Sequence, residues 1–286
     1  VENVLSVKNL SKDYGSFKLE DVGFVLPKGS IMGLVGENGA GKSTTINLIL
    51  NLVKKDAGEV SVFGLDHIAH EKEIKKQVGV VLDESSFHDT LNALRISKIM
   101  GNLFESWDEA LYRHYLEIFK LPEKKTVKEY SRGMKMKLSI AAALSHRPKL
   151  LLLDEATSGL DPVVRNEILD ILLEFIQDEE HAVLLSSHIT SDLERISDYI
   201  TFIHNGKIIF SKPKDVLLES YGVLKCGVDE FRKIDPSDIV GCRKGQFGYE
   251  ALIQNRARAA EKYHGFTIDG TTIEEIMLFY ARGTEQ

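Results

Sequence analysis

The stretch Gly36-Glu37-Asn38-Gly39-Ala40-Gly41-Lys42-Ser43 limits what this chain can fold into more than any other. It fits G-x-x-x-x-G-K-[ST], in which small residues let successive backbone N–H groups turn inward toward phosphate oxygens. The lysine reaches the β and γ phosphates and the hydroxyl sits on Mg2+. The pattern works between a buried strand and a helix whose positive N-terminal end faces the anion. Residues 31–35, Ile-Met-Gly-Leu-Val, read as that strand and residues 43–52 as that helix. A chance glycine-rich turn would carry the entropic cost of three glycines with nothing to offset it. The chain is therefore expected to bind a nucleoside triphosphate, with Lys42 on the phosphates and Ser43 on the metal.

Before this loop, residues 4–8 and 17–25 alternate apolar and polar, as half-exposed antiparallel strands do. Tyr14, in the turn Tyr14-Gly15, either packs under its own hairpin or offers a flat face to an adenine ring. After the loop come a turn at Ala57-Gly58, a strand over 59–63, and a strand over 78–82 ending at Asp83-Glu84. His67 and His70 have no supporting ligand pattern and are expected in a solvated loop. Residues 91–119 read as helical, with Leu111, Tyr115, Ile118 and Phe119 on one face, up to Leu121-Pro122. That apolar face suits either the core or a docking partner.

A second helical run follows Tyr130-Ser131-Arg132-Gly133-Met134 and stops at Pro148. Next, Leu150-Leu151-Leu152-Leu153 leads straight into Asp154-Glu155. A buried strand of an α/β sheet places ligand groups at its carboxyl end, so the two acids are expected beside the phosphate loop, serving metal and water. Asp161-Pro162 reads as an N-cap with proline at the first helical position. Residues 182–186 form another buried strand that ends near His188, a candidate γ-phosphate contact, and Asn205-Gly206 marks a hairpin. Beyond Lys212-Pro213 short strands and two helices form a separate tail, the last helix starting at Thr271-Thr272 with Glu274 and Glu275 in capping-box positions.

Taken together, these residues resemble an ATP-binding cassette (ABC) ATPase over residues 1 to about 220. The motifs stand in the family's order: the aromatic Tyr14, the phosphate loop 36–44 including Thr44, the signature segment Tyr130 to Met134, the acidic strand end Asp154-Glu155, the loop Ser158-Gly159-Leu160-Asp161, and His188. The fold implied is α/β: a P-loop NTPase core of ABC type with an antiparallel β subdomain and a helical subdomain over about 84–147. Residues 221–286 would add a small α+β C-terminal domain.

The resemblance implies Mg-dependent ATP hydrolysis in a head-to-tail dimer, homo- or heteromeric, with two ATP molecules between the subunits. Ser131 and Gly133 of one chain would touch ATP held by the phosphate loop of the other, and Asp161 would communicate across the dimer. Lys42 would stabilise phosphate charge, Ser43, Asp83 and Asp154 would hold Mg2+, Glu155 would activate water, and His188 would contact the γ-phosphate. Two departures stand out. The usual Leu-Ser-Gly-Gly-Gln signature is Tyr130-Ser131-Arg132-Gly133-Met134, and Asp83 stands where the family has Gln.

The family reading leads to a cytoplasmic subunit, peripheral to the membrane's inner face, powering separately encoded transmembrane permease subunits. The signature and the tail look similar to bacterial exporters of peptides, antibiotics or lipids. A soluble clamp is the competing reading, but such clamps carry long coiled-coil insertions for which residues 83–130 are too few. A soluble assembly factor leaves the tail unexplained, and translation factors carry two cassettes.

Charge and cysteines agree with this. With 36 Lys plus Arg against 43 Asp plus Glu, the net charge is −7 and no basic run invites nucleic acid. Two distant cysteines, Cys226 and Cys242, match neither a zinc nor a redox spacing. No apolar run reaches the length of a membrane span and no secretion signal opens the chain, which begins at Val1 and so suggests processing or trimming.

Overall fold

Continuous apolar runs build the central sheet. In the computed structural model, which describes residues 2–83, 87–245 and 248–282, six strands lie in the order Lys207–Pro213, Tyr199–His204, Ser30–Val35, Ala182–Ser187, Leu150–Asp154, Val78–Val81. The pairings from Tyr199–His204 across to Val78–Val81 are parallel. Every residue of Ser30–Val35, Leu150–Asp154 and Ala182–Ser187 is buried, which is why these segments do not alternate in sequence. Parallel strands end on one edge: Val35 pairs with Ser187 and Asp154 with Ser186. The phosphate loop, the two acids and the approach to His188 therefore emerge side by side, the position where open α/β sheets bind ligands.

A second sheet is antiparallel, in the order Lys18–Pro27, Asn3–Asp13, Ala57–Val62, Leu65–Asp66. Its apolar side joins the main core through residues such as Leu5, Leu19, Leu26 and Val60. The turn expected at Ala57-Gly58 is instead an irregularity inside a strand. Gly58 has φ +93 and lies against the Asn9 carbonyl, so a side chain there meets both strain and backbone. His67 is a second correction: it is buried, with Nδ1 3.1 Å from the Val60 carbonyl, rather than solvated. His70 is exposed.

The helical insert is two helices, Ala93–Leu103 and Glu109–Ile118, not one. The break is built by side chains. Asp108 caps the second helix by accepting from Leu111 N, while the Trp107 indole donates to Ser97 and Glu109. The buried stripe of the second helix is Tyr112, Leu116 and the following Phe119; Ile118, expected on that face, is exposed. The third helix, Arg132–Leu144, is capped by Ser131, whose hydroxyl accepts from Met134 N. Glu84, named with Asp83 at the strand end, lies outside the described residues.

The chain divides into two compact units after Phe210, which puts the helix Lys214–Ser220 in the same unit as the strand Tyr221–Cys226. That unit holds an antiparallel sheet in the order Ile239–Gly245, Gly248–Gln254, Tyr221–Cys226, Thr267–Asp269. Its last helix, Ile273–Arg282, opens with a reciprocal cap. Glu275 N donates to Thr272 Oγ1 and Thr272 N to the Glu275 carboxylate.

Candidate functional site

The phosphate loop occupies the six residues between the strand Ser30–Val35 and the helix Lys42–Ile49. Gly39 and Gly41 have φ of +81 and +115, so the loop turns twice through conformations open to glycine. Gly36 is needed for another reason: a Cβ there would stand 2.3 Å from the Ile203 carbonyl oxygen. The loop borders a cleft of about 580 Å³ whose wall includes Asn38, Gly39, Gly41, Lys42, Ser43, Thr44, Asp83, Glu155 and His188.

Lys42 is only 5% exposed. Its Nζ donates to the carbonyls of Gly36 at 2.8 Å and Glu37 at 3.2 Å and lies 3.1 Å from Glu155 Oε1. That last contact is an ion pair without hydrogen-bond alignment, since Glu155 Oε1 has no hydrogen-bond partner. The other carboxylate oxygen, Oε2, is 2.6 Å from His188 Nδ1. Lys42, Glu155 and His188 thus form one line across the cleft.

The backbone behind this line is held firmly. Glu155 sits at φ +52, a conformation costly for a side-chain-bearing residue and found where structure over-determines it. Its N–H donates to the carbonyl and the hydroxyl oxygen of Ser186, both at 3.1 Å. The Ser186 hydroxyl in turn donates to Asp154 Oδ1 at 2.5 Å. Ser186 therefore positions both acids, a role the sequence did not single out; two serines ending a buried strand next to the acidic one are the available signal.

Ser43 and Asp83 line the cleft and Asp154 lies buried at the adjacent strand end. Their donors are all oxygen, the chemistry Mg2+ prefers. Among the described residues no three His, Cys, Asp or Glu cluster into a self-sufficient metal cage.

Other expected site residues stand elsewhere. Tyr14 is half-exposed, with Lys12 Nζ 5.7 Å from its ring centroid, and Phe17 is the aromatic that lines the cleft. Ser131 and Gly133 do not line it; Gly133 faces Val164 instead. Asp161 caps the helix Pro162–Phe175, accepting from Val163 N and Val164 N, both at 3.1 Å. Glu37 and Ala40 contribute backbone to the loop, and the Ala40 carbonyl accepts from Gly206 N.

Comparison with known proteins decides what this cleft belongs to. Residues 19–158 match the ABC transporter family. Over 220 residues the chain is 34% identical to the bacitracin transport ATP-binding protein BcrA of Bacillus licheniformis, covering 76% of this chain and 72% of that one. The chain belongs to the ABC transporter family. It is an ABC-type ATPase, and its nucleotide is ATP. The ATPase is also 36% identical over 215 residues to the lantibiotic transport ATP-binding protein SrtF of Streptococcus pyogenes, covering 74% of this chain and 92% of the relative. A solved ATP-binding subunit of an ABC transporter shares its fold with a TM-score of 0.68 and 29% identity, over 74% of this chain and 91% of the other.

Proposed function

We propose that this ATPase powers a membrane exporter, and that two copies, or this chain and a related ATPase, close head to tail over two molecules of Mg-ATP. The observation that carries the reading is the line of Lys42, Glu155 and His188 across the cleft. Backbone N–H groups of residues 36–41 and the Lys42 ammonium face charge that grows on the phosphoryl oxygens, which is where preorganised donors lower the barrier. Glu155 orients the attacking water and takes its proton. His188, bonded through Nδ1, holds that carboxylate and keeps its other ring nitrogen for the γ-phosphate. Mg2+, when bound, would neutralise phosphate charge; Ser43, Asp154 and Asp83 are the residues that would hold it.

Ser131, Gly133 and Asp161 are assigned to the neighbouring subunit's ATP. Their absence from the cleft wall of their own chain supports this. The membrane partner is assigned to an apolar groove of about 350 Å³ between the central sheet and the helical insert, walled by Leu50, Leu52, Val80, Met100 and Phe104. Leu52, Ile99 and Leu103 are exposed nearby, so an apolar element of a permease finds an uncovered surface. No described helix is long and apolar enough to cross a membrane itself. The relatives named for bacitracin and lantibiotic transport favour an antibiotic or peptide as cargo.

The test is the mass of the Glu155→Gln protein with and without Mg-ATP, by light scattering on a sizing column. Doubling on ATP addition is the expected result for a self-sufficient pair. A protein that binds ATP and stays monomeric refutes self-closure and moves the search to a second ATPase or the permease.

A further inference from the structure

Two of the positions at which this chain departs from the usual motifs of its family touch each other. Arg132, inside the signature segment, donates from Nη2 to Asp83 Oδ1 at 2.8 Å. Asp83 follows the strand Val78–Val81 and lines the nucleotide cleft beside Ser43 and Glu155. Arg132 is the first residue of its helix, directly after the cap Ser131. Taken singly, each residue is awkward. A carboxylate in place of an amide adds negative charge to a cleft built for a polyanion, and an arginine puts a long cation between Ser131 and Gly133. Paired, their charges cancel.

Two further observations fix the pairing. Gly159, in the loop after Glu155, has φ +65, and a Cβ there would lie 2.8 Å from Arg132 Nη1 and 3.1 Å from Cζ. The guanidinium therefore rests against the backbone of that loop, in space that any other residue would fill. Lys135, which shares a cavity with Arg132, is paired with Asp89 at 3.2 Å.

We infer that Arg132 is a positioning residue for Asp83: it holds the carboxylate, and so competes with any Mg2+ that Asp83 would ligate. A fixed cation against a carboxylate lowers that group's attraction for a divalent ion. Arg132 thus weakens Mg2+ binding at the cleft, and its release leaves a free guanidinium in the signature segment. This rests on the Mg-ATP reading above and adds to it the link between the Mg2+ site and the signature segment within one chain.

The experiment is a Mg2+ titration of the binding of a fluorescent ATP analogue, at fixed analogue concentration, in the unaltered chain and in Arg132→Gln, Asp83→Asn and the double variant. Arg132→Gln should lower the Mg2+ midpoint about one-and-a-half- to fivefold, the reach of an exposed ion pair. Asp83→Asn should raise it, and in that background Arg132→Gln should change nothing further. Arg132→Lys keeps the cation and should stay near the original midpoint. Gly159→Ala, which displaces the guanidinium without removing a charge, should move the midpoint in the direction of Arg132→Gln. Equal shifts from Arg132→Gln in both backgrounds, or no shift in either, overturn the inference. If the unaltered chain binds no nucleotide at any Mg2+ concentration, the ATP-site reading itself has failed, a result distinct from additivity between the two positions.

Discussion

Replacing Glu155 by Gln should do more than stop hydrolysis. Glu155 is the counter-ion of Lys42, at 3.1 Å, with side-chain exposures of 13% and 5%. Gln keeps the shape and removes the charge, so a largely buried ammonium loses its carboxylate. Removing one partner of a fully buried ion pair costs about 3–5 kcal/mol. Here the Gly36 and Glu37 carbonyls still hold Nζ and the cleft is open to water, so about 1–2 kcal/mol is the part at stake. ATP must displace Glu155 from Lys42 in the unaltered protein and meets no such competitor in the variant. The nucleotide-free variant should therefore melt earlier, while its ATP affinity rises about five- to thirtyfold, at 1.4 kcal/mol per factor of ten. Turnover should fall about 10²- to 10⁴-fold, as for loss of a general base. Thermal melts, a nucleotide titration and phosphate release measure the three quantities. Unchanged melting and affinity refute the ion-pair argument, and unchanged turnover removes Glu155 from its chemical role.

Gly36→Ala drives a methyl to within 2.3 Å of the Ile203 carbonyl oxygen; a loss of about 1–3 kcal/mol of stability and weaker ATP binding are expected in melts and titrations. Burial holds the pKa values of His67 and His146 below the usual 6.5. Since the unfolded chain then binds these protons more readily, stability should be full above about pH 6.5 and fall as pH drops below it, and His146→Phe should flatten the slope of melting temperature against pH between 7.5 and 5. A chain ending at Phe210 should stay soluble and bind ATP if the C-terminal unit folds independently; an insoluble or nucleotide-blind product refutes that separation.

The elements that sequence revealed were those whose signal is local. The phosphate loop carries its glycines, Asp161-Pro162 and Thr272 with Glu275 their caps, and Asn205-Gly206 its two positive φ values, +47 and +75. Buried runs such as 150–153 announced both a strand and the acids that follow it, of which Glu155 lines the cleft. What stayed hidden depends on partners distant in sequence. The break between the two helices of the insert needs the Asp108 cap, which Arg147 also engages from 39 residues away. Asp83 and Arg132 read as two separate departures because 49 residues separate them. Tyr14 and Phe17 are both aromatics of one turn, and only the path of the backbone decides that Phe17 lines the cleft.

The strand order also has a consequence for biosynthesis. Ser30–Val35, which launches the phosphate loop, is hydrogen-bonded on one side to Ala182–Ser187 and on the other to Tyr199–His204. Gly36 is closed in by Ile203. On a ribosome the loop leaves the exit tunnel early, but both flanking strands follow about 150 residues later, roughly ten to thirty seconds at typical synthesis rates. During that interval the nascent chain carries an unpaired apolar strand and no competent ATP site. Pairing of such distant segments is slow in itself, so ATP added to stalled nascent chains should protect the phosphate loop from protease only once residues beyond His204 have emerged.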